Sequence, residues 1–136
     1  VKKNKINHIP VAKAIKILDH WFELYIRYRD DWKCIVCGIR LPLDTSNLHA
    51  GHLIGRTHKK VRWDELNVNT QCKNCNCAHQ WDESPYTAKW LEKYGLEAYL
   101  ALENRSKGVE KLNSSDLLEK VEYYKKLVES YQSTGV

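Results

Sequence analysis

Cys34-Ile-Val-Cys37 and Cys72-Lys-Asn-Cys75, with Gly51-His52 and Asn67 between them and Asn76 directly after, form the stretch around which the chain is organised. Each Cys-x-x-Cys pair can close a tight knuckle on a metal ion, so four thiolates can converge on one tetrahedral site. A closed, all-sulfur site favours zinc. Gly38 follows the first pair, where a knuckle often needs positive φ. The competing reading is two disulfides and a free thiol, which belongs to an oxidising compartment. The start Val1-Lys-Lys-Asn-Lys5 is basic but lacks the apolar core of a secretory signal. A reducing, cytoplasmic setting is therefore expected, and five cysteines are an odd number for disulfides. The fifth, Cys77, reads either as a ligand of a slipped Cys75-Asn76-Cys77 knuckle or as a small buried residue on the following helix.

A length of 136 residues fits one domain with a helical extension. Five Trp and eight Tyr stand against one Phe and no Met, so amphipathic rings fill much of the core and need polar partners for their N–H and O–H groups. The net charge of +5 is compatible with a polyanionic partner without demanding one. No run of about eighteen apolar residues is present, so no membrane span is expected.

Three regions are predicted. Residues 1–30 are a basic arm and a helix: Val11, Ile15, Leu18, Phe22 and Tyr25, with Ala14, Ile17, Trp21, Leu24 and Tyr28 one row over, leave only Lys13, Lys16, His20, Glu23 and Arg27 as a polar row. So wide an apolar face is either sandwiched between the metal-bound core and the C-terminal helices or forms a homodimer interface. Residues 31–82 are the zinc-bound core, with a strand over Leu48–Ile54 and a short helix from Asn76 to Trp81. Residues 83–136 are a helical cap. Ser84 as N-cap and Pro85 as first residue open one helix that Gly95 stops, Leu96–Asn104 forms another, and Ser114 or Ser115 caps a last one running to Tyr131. The fold class is α+β.

The order Cys-x-x-Cys, His52, Asn67, Cys-x-x-Cys-Asn76 resembles the zinc-containing HNH, or His-Me finger, endonucleases, and Asn in the last place is similar to phage endonuclease VII, a junction resolvase. The run His49-Ala-Gly-His-Leu53, then Val61-Arg-Trp-Asp-Glu-Leu-Asn-Val-Asn-Thr-Gln-Cys-Lys-Asn-Cys-Asn76, with Lys93-Tyr-Gly-Leu-Glu-Ala98 downstream, resembles the NinG/Rap family of phage recombination nucleases over residues 30–105. The resemblance implies a zinc-stapled ββα-metal core and a metal-dependent DNA endonuclease acting on branched intermediates such as junctions and D-loops. Asn67 would hold the loop or ring of the base.

The chemistry explains the residue types. A neutral imidazole can take a proton from water near neutral pH, which makes His52 the candidate general base. Mg²⁺ or Mn²⁺ would stabilise the departing 3′-oxygen. Asn76 and His79 share a helix face and could both reach that ion. Relatives of this kind carry an Asp or His directly before the base, where this chain has Gly51. His49 and Asp64 are the candidate replacements, although a regular strand would turn His49 away from His52 unless a bulge at Ala50-Gly51 intervened. Arg56, Lys59, Lys60 and Arg62, with the lysines of the arm, are the candidate phosphate contacts for DNA that is branched or carries single strands. The alternative function is a non-catalytic zinc-ribbon module that binds nucleic acid.

Overall fold

The computed structural model describes residues 9–134; the basic arm, residues 1–7, lies outside them. Apolar residues at four-residue spacing after Pro10 produce helix α1, Val11–Arg29, in which Ala14, Leu18, Phe22 and Ile26 are fully buried. The helix stops because Asp31 and Trp32 take left-handed backbone, φ 54° and 56°. Such a conformation costs each residue about 1–2 kcal/mol, so it has to be held. Arg29 donates to the Glu65 and Val68 carbonyls at 2.6 and 3.0 Å, and the Asp30 carboxylate accepts the Thr70 N–H at 2.8 Å. Arg40 grips Asp31 through Nη2 at 2.9 Å. The end of α1 is thereby fixed to the second strand, and the reversed chain enters the first knuckle.

Strands β1, Leu48–His52, and β2, Val68–Cys72, pair antiparallel without interruption, from Leu48 opposite Cys72 to His52 opposite Val68. There is no bulge at Ala50-Gly51. Alternation turns Ala50 and Val68 into the cluster under α1. His49, Gly51, Asn69 and Gln71 therefore face the other way. The predicted strand through Ile54 ends at His52, because the Ile54 N–H and C=O are taken by the Asn67 side chain and not by a ladder partner.

Helix α2, Lys73–Ala78, starts inside the second knuckle and three residues before the predicted start at Asn76. Cys72 is its cap, with Sγ accepting the Cys75 N–H, a role that sequence rules reserve for oxygen side chains. Helix α3 spans Ser84–Tyr94 and α4 spans Leu96–Ser106, with Gly95 at φ 92° between them. Ser84 is the first residue of α3 and not its cap; its N–H bonds to Asp82 Oδ1. Helix α5, Ser114–Ser133, is capped by Asn113, whose Oδ1 accepts the Asp116 N–H at 2.9 Å. The cap is thus one residue earlier than either predicted serine.

Two clusters hold these elements. Leu117, Val121 and Tyr124 of α5 close over α1, with Trp63, Ala50 and Val68 completing the first cluster. Burying each large apolar side chain there contributes about 1.5–3 kcal/mol. Helix α1 is thus sandwiched between the sheet and α5. The second cluster, Leu53, Val61, Tyr86, Trp90 and Leu102, packs α3 and α4 on the long connection between the strands. Among the described residues no helix is long and apolar enough to cross a membrane.

Candidate metal centre and histidine site

The thiols of Cys34, Cys37, Cys72 and Cys75 all lie within 4.8 Å of one another. Zinc–sulfur bonds of about 2.3 Å give a tetrahedron with S···S edges of about 3.8 Å, and Cys37 Sγ stands 3.7 Å from Cys72 Sγ. Within each knuckle the second cysteine's N–H points at the first sulfur, at 3.5 Å for Cys37 on Cys34 and 3.4 Å for Cys75 on Cys72. Burial raises the Cys34 thiol, but the backbone N–H groups outweigh it and the net shift is downward. Burial, with hydrogen bonding to Cys72 and the charge of Cys34, pushes Cys75 up, and burial raises Cys37 too. Four thiols this close cannot all ionise without a dication between them, so the donor set fits one zinc ion.

His52 closes β1, and its Nε2 lies 2.8 Å from the Arg62 carbonyl. A carbonyl can only accept, so Nε2 carries the proton and Nδ1 keeps the lone pair. The connection that supplies this carbonyl is clamped by Asn67. Its fully buried amide accepts the Ile54 N–H at 2.8 Å and donates to Ile54 O and Val61 O, each at 2.9 Å. Asn67→Ala would leave one N–H and two carbonyls without this partner. The expected loss is about 2–5 kcal/mol, read as a lower urea midpoint. A loss below about 1 kcal/mol would remove the clamp from the account.

Burial lowers the His52 pKa from 6.5 to about 4, against the opposing hydrogen bond to Arg62 and with help from the Arg56 and Arg62 charges. The unfolded chain then binds a proton that the folded chain refuses between those two values. Stability should therefore fall as pH drops from 6.5 toward 4. Between pH 7.5 and 5 wild type should lose about 1 kcal/mol more than His52→Gln, which cannot titrate, after discounting for partial exposure. Equal losses in urea titrations would contradict the shift.

On the opposite face, His49 Nε2 lies 3.1 Å from Ser46 O and therefore donates, which leaves Nδ1 to accept from Asn76 Nδ2 at 3.4 Å. That arrangement turns Asn76 Oδ1 toward Gly51, 3.1 Å from the point a Cβ there would occupy. His79 caps the end of α2, with Nε2 donating to Leu53 O at 3.3 Å and Nδ1 buried without a partner. The sheet thus separates the His49–Asn76 pair from the face that packs on α1.

Asp64 is held elsewhere, accepting Arg105 Nε at 2.9 Å and the Leu66 N–H. Arg62 is a half-buried partner of Asp19, at 2.7 Å, and Arg56 pairs with Glu23 at 2.7 Å. Lys59 and Lys60 are exposed. Cys77 lies on α2 as expected, but it is exposed and not buried. Three contributors escaped the sequence reading. Asp19 and Glu23 sat on the flank of a helix whose neighbours were unknown. Gln71 is buried opposite His49, a placement that only strand register reveals.

These features define an α+β chain whose sheet carries, at one end, a four-cysteine cluster able to hold a metal ion and, at the other, a fixed histidine. Residues 1–133 match the family model described as Bacteriophage Lambda NinG protein. The chain belongs to the NinG family. It is 30% identical over 129 residues to protein ninG of Salmonella phage P22, covering 93% of this chain and 62% of that relative. It is 30% identical over 106 residues to protein ninG of Escherichia phage 933W, covering 76% and 51%. Against protein ninG of Escherichia phage lambda it is 29% identical over 106 residues, covering 76% and 50%. The chain therefore spans between half and two thirds of the length of these relatives. No solved structure matches it.

Proposed function

We propose that this protein is a metal-dependent DNA endonuclease of the HNH type, hydrolysing phosphodiester bonds in branched recombination intermediates. The observation that carries the reading is the fixed tautomer of His52. A zinc knuckle pair needs neither an imidazole locked by a carbonyl nor a buried amide clamping the loop that supplies it, and this chain has both. His52 Nδ1 takes a proton from water, the resulting hydroxide attacks phosphorus, and the 3′-oxygen leaves. Burial keeps the ring neutral at pH 7. Asn76 and His79, on the sheet face opposite His52, are the side chains that would hold a catalytic Mg²⁺ or Mn²⁺ beside the end of β1, where His79 reaches the Leu53 carbonyl, and their oxygen and nitrogen donors fit such an ion. When bound, that ion stabilises charge on the departing oxygen. Lys59 and Lys60 are free to follow the phosphate backbone, and Arg56 and Arg62 would have to exchange a carboxylate for a phosphate. A cut through both strands would take a second copy of the chain. The test is incubation of zinc-loaded protein with four-way junction, D-loop and linear DNA in Mn²⁺ or Mg²⁺. Nicks confined to branched substrates are expected, and intact DNA under all these conditions would sink the proposal.

One observation favours a second reading, a zinc-ribbon module that binds nucleic acid without cutting it. Among the described residues the four cysteines are the one converging group of three or more His, Cys, Asp or Glu ligands. Salt-sensitive binding of branched DNA with no cleavage is its expected result.

A further inference from the structure

Gly51 is bare because something else occupies its space. A Cβ built there would overlap the Gln71 amide oxygen and lie 2.8 Å from the Gln71 amide carbon. Gln71 is fully buried, yet neither Oε1 nor Nε2 has a hydrogen-bond partner. A buried amide left with both ends unmet is costly, about 1–3 kcal/mol for each group, and in native proteins it signals a water or an ion. The groups around it are polar. Asn76 Oδ1 points at the same spot from α2, and His79 Nδ1 is a third buried, unpartnered atom beside the strand end.

We infer that Gln71 supplies, from the neighbouring strand, the oxygen ligand that position 51 lacks, so that its amide oxygen and Asn76 Oδ1 together form a divalent-cation site on the α2 face of the sheet. The inference rests on the endonuclease reading for its purpose but not for its geometry. Either end of the Gln71 amide can face Gly51, and a cation selects the oxygen. Every side-chain ligand here is neutral, so Mn²⁺ alone should bind weakly and gain affinity when a phosphate adds negative charge. His49 is a positioning residue: by accepting from Asn76 Nδ2 it keeps Asn76 Oδ1 turned inward.

The decisive experiment titrates Mn²⁺ alone into the zinc-loaded full chain, followed by electron paramagnetic resonance and by the melting temperature. Gln71→Glu keeps the shape and adds a charge, so it should bind Mn²⁺ about tenfold more tightly than wild type, with a melting temperature that rises as Mn²⁺ is added. Gln71→Leu keeps the bulk, removes the oxygen and should lose Mn²⁺ binding. A Gln71 that only fills space predicts the opposite: Gln71→Glu is destabilised by its buried charge and Mn²⁺ does not restore it. That result, or equal Mn²⁺ affinity in wild type and Gln71→Glu, overturns the inference. The readout needs no cleavage. A protein that binds Mn²⁺ through Gln71 but never cuts DNA loses the endonuclease reading alone, and one that cuts with unchanged Mn²⁺ dependence in Gln71→Leu loses the Gln71 assignment alone.

Discussion

Removing zinc is expected to unfold the sheet and both knuckles. Through a bound ion the four thiolates would join residue 34 to residue 75 across both strands, and among the described residues no ion pair or disulfide ties that span at its knuckle end. Structural zinc in small domains is worth about 10–16 kcal/mol of apparent binding energy, as much as the whole stability of a typical domain, about 5–15 kcal/mol. Chelation should therefore abolish the cooperative melting transition of the core, with some helicity surviving where α1 and α5 pack together. The thiols provide a direct count. Cys77 is exposed and outside the cluster, so a thiol dye should react with one cysteine per chain before chelation and with all five afterwards, as one zinc is released. An unchanged melting curve after zinc removal, or cysteines found as disulfides, would refute the centre.

Cleavage of branched DNA is expected to fall by roughly 10²–10⁴ in His52→Ala, with zinc content close to wild type and a stability loss at pH 7.5 of about 1–3 kcal/mol, because the Arg62 carbonyl loses its donor. The substitution removes the proton acceptor and leaves the Asn67 clamp untouched, because the Asn67 side chain bonds only to backbone atoms of Ile54 and Val61. The pH profile gives a second check. With the imidazole pKa down to about 4, the base is already deprotonated at pH 6, so the rate should be insensitive to His52 titration across pH 6–8 and should lose its base only in acid. Wild-type rates in the variant would remove His52 from the chemistry. An acid limb centred near pH 6.5 would instead mean that the ring is less buried with DNA bound.

The sequence made the metal centre readable because Cys-x-x-Cys spacing is local: four ligands fall into two short segments, and each knuckle needs only its own residues. The helices were readable for the same reason, through apolar period and through Gly95. What escaped depended on contacts distant in the chain. The end of β1 was placed two residues late because a side chain from position 67 captures the backbone of Ile54. The start of α2 was placed late because a cysteine thiol acts as a cap. Arg56 and Arg62 read as phosphate contacts, whereas Asp19 and Glu23 on α1, more than thirty residues earlier, engage both of them. No strand was predicted over Val68–Cys72, and nothing in the sequence singled out Gln71 until the register set it against Gly51.

The partnership of α1 with α5 sets an order of events during synthesis. The apolar face of α1 is made first, but Leu117, Val121 and Tyr124 that close over it emerge roughly a hundred residues later. At about 5–20 residues per second that interval is on the order of 5–20 s. For that time the nascent chain shows an uncovered hydrophobic helix, the kind of surface that invites chaperones or aggregation. Completion of α5 is then what ends the exposure of this helix face.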